Sequence, residues 1–378
     1  MLVAVPTETL ADESRVAATP ETVKKFVALG ATVRVQAGAG LASGIPDADY
    51  EAAGATVAGD AAAALAGADV VLKVRRPAEA EIGLLKNGAI LIAQLDPYGH
   101  EDAIRALAEA GIIAFATELT PRITRAQVMD VLSSQANLAG YRAVIDAAAE
   151  YGRALPMMMT AAGTVPAARV FVMGAGVAGL QAIATARRLG AIVTATDVRP
   201  AAKEQVESLG AKFIAVEDEE FKQAETAGGY AREMSDEYKR KQSELIASHI
   251  AKQDIVITTA LIPGRAAPRL VSDAMVRSMR PGSVIVDLAV ERGGNVEGAK
   301  PGEVAAVDGV KIVGHLNVPG RLAATASTLY AKNLLAFAEQ LIDKQSKAIA
   351  INWDDEIVKA TALTRDGAVI HPAFQPKA

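Results

Sequence analysis

The sequence predicts an α/β protein with two domains, each built on a parallel β-sheet. Short runs of β-branched residues alternate along the chain with Ala-rich helical segments, which is typical of parallel sheets covered by helices on both faces. The length of 378 residues is enough for two domains with separate cores. A glycine-rich turn at Gly174–Gly179, between a strand and a helix, marks one of these α/β units clearly.

The composition narrows the possible functions. The 39 Lys and Arg stand against 44 Asp and Glu without a basic block, which argues against a nucleic-acid surface as the main function. The absence of Cys excludes disulfides and thiolate chemistry, and the four His lack the spacing of metal ligands, so we expect no metal site. We expect a cytoplasmic chain, because the sequence shows neither a signal peptide nor an apolar stretch that could span a bilayer.

The first third of the chain predicts a βαβ opening followed by further strands. The helix of this opening begins at Thr19-Pro20, an N-cap with Pro at the first helical position, and ends at Gly30. Residues Arg125 to about Tyr151 predict one long helix that connects two domains. The strand candidates are Leu2–Val5, Thr32–Gln36, Val70–Val74, Ala89–Leu95 and Ile112–Ala116.

The second α/β unit centres on the glycine-rich turn, which follows a strand at Ala168–Met173 and precedes a helix at Leu180–Leu189. The next strand ends in an acidic residue, and this context predicts a dinucleotide site. Gly174 would allow the tight turn, Gly176 the approach of a pyrophosphate, and Gly179 close packing of the helix on the strand. A glycine turn without a ligand is the alternative. The predicted cofactor-binding residues of this turn are Gly174, Ala175, Gly176, Val177 and Gly179.

Asp197 indicates which dinucleotide is bound. Its carboxylate would accept hydrogen bonds from the adenosine ribose and would repel a 2′-phosphate, which favours NAD over NADP. Arg199 complicates this inference, because its guanidinium could hold a 2′-phosphate, stack on adenine or lie in solvent. We include Val198 between them among the cofactor-binding residues.

The rest of the chain completes both domains. The second sheet continues through further strand candidates, and Arg321 to about Lys344 predicts a second long helix. Asp366-Gly367 predicts a hairpin in the tail, which we assign to the first domain. The expected first domain is therefore discontinuous, at 1–139 plus 325–378, and two long helices join it across a cleft to a second domain at 140–324. The further strands of the second sheet are Ala211–Val216, Asp254–Thr259, Ser283–Ala289 and Lys311–Gly314.

A long charged connection, Glu217–Leu245, interrupts the second sheet. The glycine pair and the aromatic residue within it predict a mobile flap near 222–236 that contacts the nucleotide through Gly229 and Tyr230. Its second part, from about Ser235, is compatible with a helix. A solvated insertion without ligand contact is the alternative.

The segment Pro121–Tyr141, with the sequence PRITRAQVMDVLSSQANLAGY, resembles the Arg-Gln-Asp loop of proton-translocating nicotinamide nucleotide transhydrogenases. Further matches cover nearly the full length, so the chain is identified as a member of this family. It is similar to the NAD(H)-binding α1 subunit, or domain I, which is related in fold to alanine dehydrogenase. The further matches are Ala224–Tyr230, Thr258–Gly264, Asp287–Val290 and Gly314–Pro319.

This resemblance implies two Rossmann-like domains and a homodimer. It also implies docking on the membrane domain II and on the NADP(H)-binding domain III, which would make the chain peripheral on the inner membrane through its partner subunits. The implied activity is that of a Si-specific/Re-specific NAD(P)+ transhydrogenase, active only with those partners. Hydride would pass directly between NADH on this chain and NADP+ on the partner, coupled to proton translocation by the membrane subunits.

The resemblance also assigns site residues, because four positions match those that hold the dihydronicotinamide, its ribose and its carboxamide. Direct transfer between two C4 atoms requires positioning and exclusion of water, but no general acid or base. Without the resemblance, the four would also fit a solvated helix start with charges at helical spacing. These positions are Arg122, Gln127, Asp130 and Ser133, and the cofactor-binding set also includes Gln242 and Leu261.

Arg15 and Lys73 keep a second function open. Both lie in motifs similar to those that hold the substrate in alanine dehydrogenase, so the alternative is an alanine-dehydrogenase-like, NAD-dependent amino-acid oxidoreductase. That reaction needs an acid/base group at the substrate, and where that enzyme has a catalytic His this chain has Gln94–Pro97. We therefore interpret Arg15 and Lys73 as inherited structural residues. A non-catalytic NAD(H)-binding regulatory module is the third hypothesis.

Overall fold

A computed structural model describes residues 1–222, 234–262 and 264–375. The chain divides into two compact units, Met1–Gln135 with Pro319–Ala378, and Ala136–Val318. Both crossings lie a few residues before the boundaries expected from the sequence. The expected flap contacts, Gly229 and Tyr230, lie outside the described residues. Within those residues, the model has no helix whose length and apolar character would suit it to crossing a membrane.

The first unit begins with alternating strands and helices and leads into a long helix that crosses to the second unit. The bounds are β1 Leu2–Val5, α1 Pro20–Ala28, β2 Thr32–Gln36, α2 Asp47–Ala52, β3 Ala55–Ala58, α3 Ala61–Leu65, β4 Val70–Arg75, α4 Glu79–Ile82, β5 Ile90–Gln94, α5 Glu101–Glu109, β6 Ile113–Ala116 and α6 Val131–Glu150.

The second unit repeats this alternation, and the chain then returns to the first unit. The bounds in the second unit are β7 Met158–Thr160, β8 Gly163–Val165, β9 Arg169–Met173, α7 Val177–Arg188, β10 Ile192–Thr196, α8 Ala202–Ser208, β11 Lys212–Phe213, α9 Glu219–Lys222, α10 Asp236–Ile250, β12 Ile255–Thr258, α11 Asp273–Ser278, β13 Val284–Asp287, β14 Val304–Val307 and β15 Val310–Val313. The returning elements are α12 Ala323–Ala338, α13 Glu356–Thr361, β16 Ala362–Arg365 and β17 Ala368–Val369.

Both large sheets have the strand order of a doubly wound dinucleotide-binding fold. In the first, β3-β2-β1-β4-β5-β6 are parallel and β16-β17 extend the β6 edge as an antiparallel pair. In the second, β11-β10-β9-β12-β13-β15 are parallel and β14 pairs antiparallel with β15. Each order reverses direction at its first strand, β1 or β9, where ligands bind in such sheets. The predicted α/β class with two Rossmann-like parallel sheets is confirmed.

The long helix predicted from Arg125 begins later, at Val131. Thr124–Met129 instead forms a 3₁₀ turn, and Asp130 caps α6 by accepting the backbone N–H of Ser133 at 2.9 Å. The cap ends one element and starts the next. In the same way, the second long helix ends at Ala338 rather than near Lys344.

The remaining differences concern short strands at sheet edges. β3 and β14 were not predicted, and the strand expected over Ala211–Val216 is reduced to β11. Such strands expose one edge and bury few side chains, which weakens their sequence signal. The tail hairpin is confirmed: Asp366 and Gly367 have φ of 51° and 79°, as a two-residue turn with both central residues at positive φ requires.

Candidate functional site

The glycine-rich turn (Gly174–Gly179) is tightly packed at both ends and open in the middle. Gly174 has φ of 104°, and a Cβ on it would lie 2.5 Å from Thr259 Oγ1. On Gly179, a Cβ would lie 1.8 Å from the carbonyl oxygen of Gly174, so only glycine allows this approach of α7 to β9. At Gly176, the residue before α7, a Cβ would meet nothing within 4 Å. The free N–H groups of the first turn of α7 therefore adjoin open space that suits a pyrophosphate.

The Asp197 carboxylate connects the glycine-rich turn to the end of β10. Its Oδ2 accepts the backbone N–H of Ala175 at 2.7 Å. The Arg199 guanidinium donates to both carboxylate oxygens, at 2.9 and 3.0 Å, and the Arg199 backbone N–H also donates to Oδ1. The charge of Asp197 is therefore compensated locally, although the residue stands where an acidic group accepts ribose hydroxyls in dinucleotide-binding folds.

The other predicted cofactor-binding residues differ in what they contact. Val177, Val198 and Leu261 are exposed apolar side chains, 40%, 54% and 54% accessible, and are available to a ligand. Gln242 on α10 has a structural role: its Oε1 accepts the Val216 N–H at 2.9 Å, and its Nε2 donates to Thr196 Oγ1 at 3.2 Å. It thus fixes α10 beside the carboxyl end of β10.

Asn295 is a residue of this edge that the sequence did not reveal. Its buried side chain binds both the N–H and the C=O of Ala260, at 3.0 and 2.9 Å, and donates to the carbonyl of Pro268. It thereby fixes the segment that follows β12, whose Thr259 hydroxyl donates to the Gly174 carbonyl at 3.1 Å. The nearby Gly293-Gly294 predicts only a turn, so nothing in the sequence pointed to this clamp.

Asp287 supports the same edge of the second sheet from the end of β13. The carboxylate accepts the backbone N–H groups of Ala289 and Val296, at 2.9 and 3.0 Å. Burial raises the pKa of Asp287, although these hydrogen bonds oppose that shift. Asp287 therefore serves to hold loops rather than to contact a ligand.

The four residues assigned to the nicotinamide lie in the first unit, in or just after residues 121–130 (the Gln127 loop). Asp130 and Ser133 lie together: the Ser133 hydroxyl donates to Asp130 Oδ2 at 2.5 Å. Arg122 and Gln127 are exposed, and within the described residues their side chains have no hydrogen-bond partner. The loop itself is anchored by the buried side chains of Ala126 and Met129. It thus presents two free polar side chains from a fixed backbone.

Arg15 and Lys73 are buried and paired with carboxylates. Arg15 forms a bidentate pair with Glu13, at 2.7 and 2.6 Å, and Lys73 Nζ lies 2.8 Å from Glu81 Oε1. Burial would raise the pKa of Glu13, but Arg15 and Arg75 lower it to about 2, so this carboxylate stays ionised. The protein itself compensates these charges, which supports the interpretation of Arg15 and Lys73 as structural residues.

Comparison with known families agrees with this geometry over nearly the whole chain. The N-terminal domain model of alanine dehydrogenase/PNT matches residues 4–139, and the C-terminal domain model of the same family matches residues 143–372. The chain belongs to the alanine dehydrogenase/PNT family. The predicted family resemblance is confirmed.

Within the alanine dehydrogenase/PNT family, the transhydrogenases are more similar to this chain than the alanine dehydrogenases. The chain is 58% identical to the first of the separate α-subunit chains of the NAD(P) transhydrogenase of Rhodospirillum rubrum, over 99% of both chains. A solved transhydrogenase structure from Sinorhizobium meliloti has a TM-score of 0.90 and 65% identity, covering 98% of this chain and all of that one. An L-alanine dehydrogenase structure has a TM-score of 0.83 and 28% identity, covering 99% and 98%. The chain is therefore a homologue of the transhydrogenase α subunit, in a family of Rossmann-like, NAD-binding oxidoreductases.

Proposed function

We propose that this chain is the NAD(H)-binding component of a proton-translocating transhydrogenase, of the Si-specific/Re-specific class. It passes hydride directly from NADH to NADP+ held by a partner domain, and membrane subunits couple this transfer to proton translocation. The observation that carries the proposal is the glycine-rich turn, closed at Gly179 and open at Gly176, in a chain 58% identical to a transhydrogenase α subunit.

In this proposal, the second unit binds the nucleotide. The N–H groups at the start of α7 hold the pyrophosphate, and Gly176 leaves room for it. Asp197 accepts a ribose hydroxyl, which requires the Arg199 guanidinium to share or release the carboxylate. The remaining contacts that we propose are Ala175, Val177, Val198, Leu261, Gly229 and Tyr230, with Gln242 in support.

The Gln127 loop positions the reacting ring in this proposal. When bound, the dihydronicotinamide supplies a hydride from its C4 to the C4 of NADP+, so that NADH and NADP+ become NAD+ and NADPH. Arg122 and Gln127 have free donors, and Gln127 also has a free acceptor, so together they suit the ribose and the carboxamide. The Asp130–Ser133 pair fixes the start of α6 next to them. No proton moves in this step, so these residues act by orienting the ring and excluding water.

Exchange of Asp197 for Asn is expected to reduce discrimination between NADH and NADPH by about tenfold. The substitution removes the charge that repels a 2′-phosphate and frees Arg199 to bind it, and charge-assisted hydrogen bonds of this kind contribute roughly 1.5–3 kcal/mol. Fluorescence titration with both nucleotides measures the ratio. Asp254→Asn is the matched control, since its carboxylate also accepts a backbone N–H but precedes β12. Equal affinities for NADH and NADPH in the unmodified chain would contradict the assignment.

We propose that the chain forms a homodimer through β7 and β8. This antiparallel hairpin is separate from both large sheets, and an isolated two-stranded hairpin is marginally stable in water. It nevertheless exposes Met157, Met158 and Met159, which are 59%, 43% and 78% accessible. Flexible apolar side chains exposed together mark an interaction surface.

Met159→Lys is expected to convert the dimer into a monomer, because a charge would have to be buried in the apolar contact. Light scattering after gel filtration gives the mass directly. Leu41→Lys, which changes a 62% exposed apolar side chain in the first unit, should leave the dimer intact. A Met159→Lys protein that remains dimeric would exclude this surface.

The proposed function is tested by mixing the NADH-loaded chain with the NADP(H)-binding domain of a transhydrogenase and following NADPH formation. We expect transfer only when both are present, and no NADH production from NAD+ and L-alanine. Oxidation of L-alanine would instead show the amino-acid oxidoreductase. Binding of NADH without transfer to any NADP(H)-binding domain would identify a regulatory module.

A further inference from the structure

The side chain of Asn333 connects α12 to both ends of the segment that carries the proposed nicotinamide contacts. Its Nδ2 donates to the backbone carbonyl of Val128 at 2.7 Å, and its Oδ1 accepts a hydrogen bond from Ser134 Oγ at 2.7 Å. The residue is only 8% exposed, so water offers little competition for these bonds.

The two bonded groups lie directly beside site residues. Val128 follows Gln127, and Ser134 follows Ser133, so the Asn333 amide holds the backbone on either side of the Asp130 cap. Gln127 is exposed and its side chain has no partner within the described residues, so its location depends on this backbone.

We propose that Asn333 is a positioning residue for hydride transfer, which acts by fixing the Gln127 loop; this inference rests on the proposed function. Asparagine suits the task because its planar amide offers a donor and an acceptor at once. Aspartate has nearly the same shape but no donor, and it would place a carboxylate oxygen against the Val128 carbonyl. Asn333→Asp therefore disrupts the loop contact with little change in volume.

Asn333→Asp is expected to lower the rate of hydride transfer by at least about tenfold, because a displacement near 1 Å can cost about a hundredfold. The dissociation constant of NADH should stay within about twofold, since the glycine-rich turn lies in the second unit. Thr328→Ala is the matched control: it removes a hydrogen bond within α12 that does not involve the loop, and it should transfer hydride at the unmodified rate. Unchanged transfer in Asn333→Asp would overturn the inference.

A double variant separates positioning from general loss of structure. If Asn333 acts through Gln127, the combined rate loss in Asn333→Asp with Gln127→Asn should be clearly smaller than the product of the two single losses. A multiplicative loss would overturn the inference. If Asn333→Asp does not fold, Ser134→Ala removes the other bond of the same bridge, and the same comparison applies.

Hydrogen exchange distinguishes failure of this inference from failure of the proposed function. Backbone amides of residues 124–134 should exchange at least about tenfold faster in Asn333→Asp, and at the unmodified rate in Thr328→Ala. Unchanged exchange in Asn333→Asp would overturn the positioning role. An unmodified protein that transfers no hydride would instead overturn the proposed function, and the exchange result would still decide whether Asn333 fixes the loop.

Discussion

Gln127→Asn is expected to slow hydride transfer by about a hundredfold while changing NADH affinity by only a few-fold. The substitution keeps the amide but shortens its reach by one methylene, and misplacement by about 1 Å can cost that factor in rate. Gln127 is exposed and has no side-chain partner within the described residues, so little stability depends on it. Single-turnover transfer to an NADP(H)-binding domain and equilibrium titration with NADH measure the two quantities.

The ratio of rate loss to affinity loss decides the role of Gln127. Equal losses would show that the amide contributes uniform binding, and would remove Gln127 from the set that positions the ring. Gln340→Asn is the matched control, because this exposed glutamine lies in the same unit outside the Gln127 loop. We expect it to leave both the rate and the affinity unchanged.

The second large effect separates two glycines of one turn. Gly179→Ala is expected to destabilise the fold by at least about 1–3 kcal/mol and to abolish NADH binding, since its Cβ would lie 1.8 Å from a backbone oxygen that cannot move away freely. Gly176→Ala should leave the melting temperature nearly unchanged, because its φ is −77° and a Cβ meets nothing within 4 Å. We nevertheless expect Gly176→Ala to weaken NADH binding by about a hundredfold, because that Cβ occupies the space of the pyrophosphate.

Thermal unfolding and NADH titration on both variants test this contrast. Gly59→Ala is the control for adding a methyl group in open space, and it should affect neither quantity. A Gly176→Ala protein with unchanged NADH affinity would show that the pyrophosphate lies elsewhere.

Local sequence signals predicted much of this structure. The Asp366-Gly367 hairpin and the helix after Ser235 were predicted because the residues that define them are neighbours: the Ser235 side chain caps α10 by accepting the Tyr238 N–H at 3.1 Å. The glycine spacing likewise predicted the turn whose backbone requires glycine at two positions. Where a signal is local, its structural consequence can be derived from the sequence.

The supporting residues of the site could not be predicted in this way. Asn333 is separated by 205 positions from Val128, and Asn295 by 35 from Ala260. A lone Asn in a helix or beside a glycine pair has no spacing that indicates its partner. The start of α6 was misplaced for a related reason, because Asp130 was assigned to the ligand and its local role as a helix cap was overlooked.

Isotope transfer tests the central claim most directly. The chain is loaded with NADH that carries deuterium at the transferred C4 position, mixed with a partner domain loaded with NADP+, and the NADPH is analysed after one turnover. Direct transfer predicts that the deuterium is recovered at C4 of NADPH without loss to water, at a rate that falls in Gln127→Asn. Deuterium released to solvent, or NADPH formed without the label, would contradict direct hydride transfer by this protein.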